Sequence, residues 1–257
     1  MSNFTKNWKN FLEEGELNTS SIKIQSRLHP EFWSNRKFNP LVRRKLIKIA
    51  ENIAKKLEIF DFIDDIIVTG SIASYNWHSF SDIDLHILLD FKKVDKNTNL
   101  VKKYLDSQKT LWNKNHDIVI KNHEVEIYFQ DTAEDHESSG IYSLMMGSWV
   151  KRPSKSKVKL DIVAAEKKAD ALNNEIEMLQ SMFKNKKYRL VYGLAEKIKS
   201  KVKNMRQTGL SREGIYSPEN LAFKILRNNG ILEILSTLKT ISYDRLMSSD
   251  DITIKIG

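Results

Sequence analysis

Two aspartates one residue apart, Asp82 and Asp84, open an apolar alternating run made by Ile83, Leu85, Ile87 and Leu89. In an extended strand successive side chains face opposite ways. Both carboxylates therefore share one face, with Cα atoms about 6.5–7 Å apart, while the apolar residues face a core. Carboxylates fixed on a rigid strand are suited to sharing two divalent ions about 3.5–4 Å apart. Mg²⁺ is the expected ion, with Mn²⁺ as its substitute, because it takes few carboxylates and fills its shell with water and phosphate oxygens. A third acid is expected on HEVEIYFQD, where Val125, Ile127 and Phe129 face inward and Glu124, Glu126 and Tyr128 share the other face. Glu126, flanked on both sides by core residues, is the first choice; Glu124, beside a turn, is the reserve. Upstream, Gly70-Ser71 follows a buried β-branched run and is predicted to open a short helix. Glycine lets a phosphate approach the backbone, free N–H groups at a helix start favour the anion, and the Ser71 hydroxyl adds a donor. A phosphate cradle followed by a metal clamp suits a nucleoside triphosphate.

These residues need a scaffold, and its elements are legible along the chain. Asn39-Pro40 reads as an N-cap with proline at the first helical position. The helix that follows carries an apolar stripe of Leu41, Leu46, Ile49, Ile53 and Leu57. Ile66-Ile67-Val68 is a buried strand and Asp82 to Leu89 a second. Residues 98–112 are helical. Asp117–Ile120 and Val125–Phe129 form two strands joined by a turn at Lys121-Asn122-His123. Between Gly70 and Asp82, Tyr75 and Trp77 are expected to pack against the sheet, and His86 to be a hydrogen-bonded structural residue of its strand.

Beyond residue 135 the pattern changes to helical periodicity. Ile162, Ala165, Ala169, Leu172, Ile176, Leu179 and Phe183 recur at spacings of three and four, as do Tyr188, Val191, Ala195, Ile198, Val202 and Met205. They predict two antiparallel helices turning near Asn185-Lys186. Ser217-Pro218 begins a further helix that Gly230 stops. The expected fold is α+β: a small mixed sheet flanked by helices, followed by a basic all-helical domain. The expected division is an N-terminal arm over 1–39, a catalytic domain over 40–135 and the helical domain over 136–257.

Composition narrows the function classes. The chain has no cysteine, which excludes disulfides, thiolate metal sites and cysteine nucleophiles and suits a reducing cytoplasm. No apolar run reaches the roughly 18 residues a membrane span needs, and the N-terminus shows no signal-peptide pattern. Residues 1–135 hold 20 basic and 20 acidic residues, so the whole net charge of +9 lies in residues 136–257, with 22 and 13. That asymmetry points to a polyanion surface on the helical half, against the plain alternative of solvated lysine-rich helices. Lys197, Lys199, Lys201, Lys203 and Arg206 follow one helix, and Lys224 and Arg227 lie three apart on another. No P-loop or dinucleotide-binding fingerprint is present.

The stretch VTGSIASYNWHSFSDIDLHI resembles the nucleotidyltransferase superfamily that includes DNA polymerase beta, CCA-adding enzymes, poly(A) polymerases and aminoglycoside nucleotidyltransferases. That family's pattern is an apolar residue, Gly-Ser, a gap of roughly ten residues, Asp-x-Asp among apolar residues, and a later acid. The SDIDLH and SPENLAFK segments also resemble stretches of phage-encoded proteins, which would place the chain in a host cytoplasm. The resemblance implies that Gly70 and Ser71 contact the nucleotide phosphates and that Asp82, Asp84 and Glu126 hold two Mg²⁺ ions. It also implies that a nucleoside monophosphate passes from an NTP such as ATP to a hydroxyl acceptor, with release of pyrophosphate. RNA, including a tRNA 3′ end, is the acceptor suggested by the basic half. A small molecule or protein hydroxyl is the alternative, and a non-catalytic nucleotide- or nucleic-acid-binding module is a third, disfavoured by the intact aspartates.

Overall fold

The computed structural model describes residues 17–135 and 138–248. Trp8 and Phe11 of the expected arm lie outside them. Contacts divide the chain into two compact units, one of Lys23–Lys157 and the other of Val158 onward with the stretch ending at Ile22. Composition had suggested divisions after residues 39 and 135. Among the described residues no helix is long and apolar enough to cross a membrane.

The first unit is mixed α/β. It begins with a two-residue hairpin, β1 (Trp33–Ser34) and β2 (Lys37–Phe38), followed by helix α1 (Pro40–Lys56). Asn39 caps α1, its side chain accepting from the Leu41 and Val42 N–H groups. Next come β3 (Ile63–Val68), β4 (Ile83–Leu89), α2 (Phe91–Val94), α3 (Thr98–Asn115), β5 (Val119–Ile120), β6 (His123–Asp131), β7 (Ile141–Ser143) and β8 (Ser148–Lys151). The six-stranded sheet has the order β5-β6-β4-β3-β7-β8. Only β4 and β6 pair in parallel; the remaining neighbours are antiparallel. A parallel neighbour requires a crossover, supplied here by α2 and α3. Lys121 and Asn122 both take positive φ in the tight turn between β5 and β6, as two-residue hairpins of this hand require.

Strand β4 alternates as its sequence does, with Ile83, Leu85, Ile87 and Leu89 fully buried and the residues between them half-buried. The core they enter takes Val42, Leu46, Ala50, Ile53 and Ala54 from α1 and Val101 and Leu105 from α3. Leu41, expected on the α1 stripe, is 66% exposed; Val42 takes the inward position one residue later. Strand β6 outruns its short partner β5, and Asn113 of α3 covers the open edge. Its side chain donates to the Ile127 carbonyl and accepts from the Ile127 N–H, each at 3.1 Å. A paired backbone there avoids the cost of unsatisfied polar groups beside a core.

The second unit is helical, with α4 (Ile162–Lys184), α5 (Tyr188–Glu213), α6 (Pro218–Asn228) and α7 (Ile231–Met247). The two predicted periodic stretches are α4 and α5, reversing at Asn185–Lys187, where Lys186 takes φ +57°. Its separate core joins Ala165, Ala169, Leu172 and Ile176 of α4 to Val191 and Ala195 of α5 and Leu221, Ala222 and Ile225 of α6. Gly209 of α5 faces the start of α6, where an added Cβ would lie 2.5 Å from Ser217 Oγ and 2.6 Å from Glu219 Cβ.

Candidate functional site

The parallel register of β4 and β6 pairs Asp84 with Glu126, His86 with Tyr128 and Leu88 with Gln130. Register partners in a sheet point to the same face, with Cα atoms about 4.8 Å apart. Asp84 and Glu126 are therefore adjacent and half-buried on the face opposite the core. Asp82 immediately precedes β4 and is half-buried too. Glu124 is exposed, at the end of β6 that pairs with β5. The phenolic hydroxyl of Tyr128 hydrogen-bonds to Glu126 Oε2. His86 stacks on Tyr128 with ring centroids 4.8 Å apart and bonds Gln130 Oε1 through Nδ1 at 3.1 Å. Lys109 of α3 places its ammonium 5.0 Å from the centre of the Tyr128 ring.

Gly70 closes the other side of Asp84. The Thr69 N–H donates to the Asp84 carbonyl at 3.2 Å, carrying the β3–β4 ladder one step past Val68. Gly70 then takes φ +68°, and a Cβ built on it would lie 1.7 Å from Asp84 Oδ2. Only glycine lets the backbone come this close to the carboxylate. The Gly70 N–H donates to Ser138 Oγ at 3.4 Å. Ser71 is half-buried in the turn that follows.

The helix expected to start at Gly70-Ser71 does not form. Residues 70–75 are turns and bends, with the Ser71 carbonyl accepting from the N–H of Ser74 at 3.1 Å and from its hydroxyl at 3.0 Å. Residues 25–33 take hydrogen bonds that a helix would have used internally. The Trp33 indole donates to the Ile72 carbonyl at 2.8 Å, the Gln25 N–H to Tyr75 at 2.6 Å, and the Gln25 side chain to Trp77 at 3.0 Å. In return the Trp77 indole donates to the Arg27 carbonyl at 2.8 Å. An anion at this loop would meet turn N–H groups, with no helix end behind them.

Sequence reasoning missed the supports of Asp82. Ser81 is buried; its hydroxyl accepts from the His78 N–H at 3.0 Å, its N–H donates to the His78 carbonyl at 3.0 Å, and its carbonyl accepts from His123 Nδ1 at 2.5 Å. His123 lies under His29, with ring centroids 4.8 Å apart, and His29 lies 4.3 Å from the Trp77 ring. Burial, then the nearby His123, pushes the His29 pKa down to about 4. The His29 ring is therefore neutral at physiological pH. The ligand-capable atoms of His29, Glu31 and His123 lie within 4.8 Å of one another. Both rings are nevertheless engaged in aromatic packing, and each Nδ1 is held by a backbone partner. No local motif announces this cluster, because His123 lies far along the chain from His29 and Glu31.

A carboxylate set of Asp82, Asp84 and Glu126 offers hard oxygen donors only, the chemistry that suits Mg²⁺ or Mn²⁺ and not a soft metal. The in-register pair Asp84/Glu126 is the observation with which that donor set agrees. Residues 43–142 match the family model for the nucleotidyltransferase domain. These residues are a nucleotidyltransferase domain. No curated protein and no solved structure matches the chain. The nucleotidyltransferase match begins within α1 and ends within β7. It thus contains Gly70, Ser71, Asp82, Asp84 and Glu126 and leaves out residues 25–33, which hold the Gly70–Asp82 loop.

Proposed function

We propose that this domain transfers a nucleoside monophosphate from an NTP to the 3′ hydroxyl of an RNA, at a site built from Asp82, Asp84, Glu126, Gly70 and Ser71. The observation that carries the reading is the adjacency of Asp84 to Glu126 in register, with Gly70 closed against the Asp84 carboxylate. Asp82, Asp84 and Glu126 would hold two Mg²⁺ ions, which when bound neutralise phosphate charge and favour ionisation of the acceptor hydroxyl. The acceptor oxygen attacks the α-phosphorus in line, the bond to the β-phosphate bridging oxygen breaks, and pyrophosphate departs. Glu126, steadied by Tyr128, lies on the acceptor side and draws the hydroxyl proton. The Gly70 turn leaves room for a phosphate beside the backbone, and the Ser71 hydroxyl donates to it. Positioning and electrostatics supply most of the rate in such transfers.

RNA as acceptor is supported by the charge division, since the whole net charge of +9 lies in residues 136–257. The test incubates the full chain with Mg²⁺ and each labelled NTP, with total RNA, with protein lysate and alone. Label on RNA that disappears in Asp82→Ala/Asp84→Ala is the expected result. Label on protein or on a small molecule would replace the acceptor. No Mg²⁺-dependent transfer or pyrophosphate release in any mixture would refute the enzyme reading.

A further inference from the structure

The helical unit pairs several of its cations with acids. Buried Glu219 receives Lys168 at 3.3 Å and Arg212 at 3.4 Å, Lys201 meets Glu175, and Lys239 meets Glu196. Among the described residues, other cations of the unit, Lys197, Lys199 and Lys203 among them, have no acid at that distance either, but one group differs in being gathered together and partly removed from water. Lys224 and Arg227 lie three apart on α6, where residues three apart share a helix face. Arg206 reaches them from α5, its guanidinium carbon 4.1 Å from the centre of the Phe223 ring. Among the described residues, no carboxylate lies within salt-bridge distance of any of the three. Lys224 is half-buried, and its pKa is lowered to about 8, first by burial and then by Arg227 and Arg206. Arg206 is lowered too, by burial and then by Arg227.

Two guanidinium charges beside a partly desolvated amine oppose folding, and an anion among the three offsets that cost. A purely structural lysine on α6 would gain from a carboxylate, as Lys168 and Lys201 do. Arg206 is held with its guanidinium carbon over the Phe223 ring, which limits its freedom and leaves its N–H donors able to meet phosphate oxygens. Arg206 also lines a cavity of about 450 Å³ that is largely apolar, with Lys199 and Lys203 in its lining and no acid among its residues; Lys224 and Arg227 lie outside that lining.

We infer that Arg206, Lys224 and Arg227 form a phosphoryl-binding site in the helical unit, occupied by a phosphate of the nucleotide or of an RNA backbone. It is a binding site in its own right and does not depend on the reaction proposed for the carboxylates.

The test is run without metal, on the full chain carrying Asp82→Ala/Asp84→Ala, so that the acidic site contributes no metal-held nucleotide. Tripolyphosphate, ATP and an RNA 20-mer are titrated by calorimetry or anisotropy, and melting is followed with and without tripolyphosphate. Saturable tripolyphosphate binding is expected, weakened at least tenfold by Lys224→Met and by Arg227→Gln. Lys224→Met should also melt higher than its parent when no anion is present, because it removes a half-buried charge crowded by Arg206 and Arg227, and it should gain little from the anion. Arg227 is exposed, so Arg227→Gln keeps the test open should Lys224→Met fail to fold. A variant effect on ATP alone identifies the nucleotide as the source of the phosphate, and an effect on RNA alone identifies the backbone. No saturable binding, or variants that bind all three probes as the parent does, overturns the inference. Either result leaves the Mg²⁺-dependent transfer assay free to succeed or fail.

Discussion

Gly70→Ala isolates the contact on which the carboxylate site most depends. The added methyl would start 1.7 Å from Asp84 Oδ2, while ordinary contact begins at 3.4 Å. The carboxylate or the turn must therefore retreat by the difference, about 1.7 Å. A misplacement of about 1 Å at a reacting centre costs on the order of 10²-fold in rate, so activity should fall at least that far. The backbone contributes a second, separate cost, because φ +68° disfavours any residue with a Cβ by about 1–2 kcal/mol. Gly230→Ala separates the two effects. It has φ +73°, but no atom lies within 4 Å of the new methyl. It should lose about the same stability and keep its rate. Pyrophosphate release at saturating NTP, measured beside urea melts of both variants, gives the comparison. If Gly70→Ala works within threefold of the parent while Gly230→Ala shows the stability loss, the close approach of Gly70 to Asp84 is not what holds the carboxylate.

Acid should destabilise the α/β unit through His29. Its folded pKa, about 4 against an ordinary 6.5, means the unfolded chain binds the extra proton first. Stability from this group is complete above pH 6.5 and falls as pH drops toward 4, by about 3 kcal/mol in all. His29→Phe should flatten that part of a melting-versus-pH curve, and an unchanged slope would contradict the assignment. Asn113→Ala leaves the Ile127 N–H and carbonyl without their partner and should cost about 2–3 kcal/mol in urea melts; a loss under 0.5 kcal/mol would show that water replaces the amide. Tyr128→Phe removes one hydrogen bond from Glu126 and should lower kcat about tenfold at unchanged fold, whereas an unaltered kcat would remove Tyr128 from the site.

The carboxylate strand was readable because its signal is local. Alternation alone puts Asp82 and Asp84 opposite Ile83 and Leu85, and a strand needs no distant help to express it. The loop after Gly70 was not readable for the opposite reason. Its carbonyls at Ile72, Tyr75 and Trp77 are claimed by Trp33 and Gln25, so a tertiary partner decides against a helix that local pattern favoured. The α1 stripe had the right period but the wrong phase at its start. Leu41 looked like core, yet buried Ala50 and Ala54 set the inward face through Val42. Strands β7 and β8 escaped notice because one has three residues and the other is mostly exposed, leaving little periodicity to detect. Placing the end of the α/β part at residue 135 followed from missing them. The link from His123 to Ser81 joins distant segments, and a single sequence carries no mark of such a pairing.

The hydrogen bonds between residues 25–33 and the Gly70–Asp82 loop bear on how this protein can be dissected. A recombinant fragment trimmed to the matched stretch, 43–142, would carry every proposed catalytic side chain and discard Trp33, Gln25, Arg27 and His29. Its loop carbonyls would face water, and nothing would prevent Ile72–Trp77 from taking the helical path its own sequence prefers. Such a fragment would be a test of motif without scaffold, and its silence in an assay would say nothing against the five residues it retains. A fragment that tests the site accordingly runs from Lys23 to Lys157, the bounds of the compact unit, and not from edge to edge of the motif.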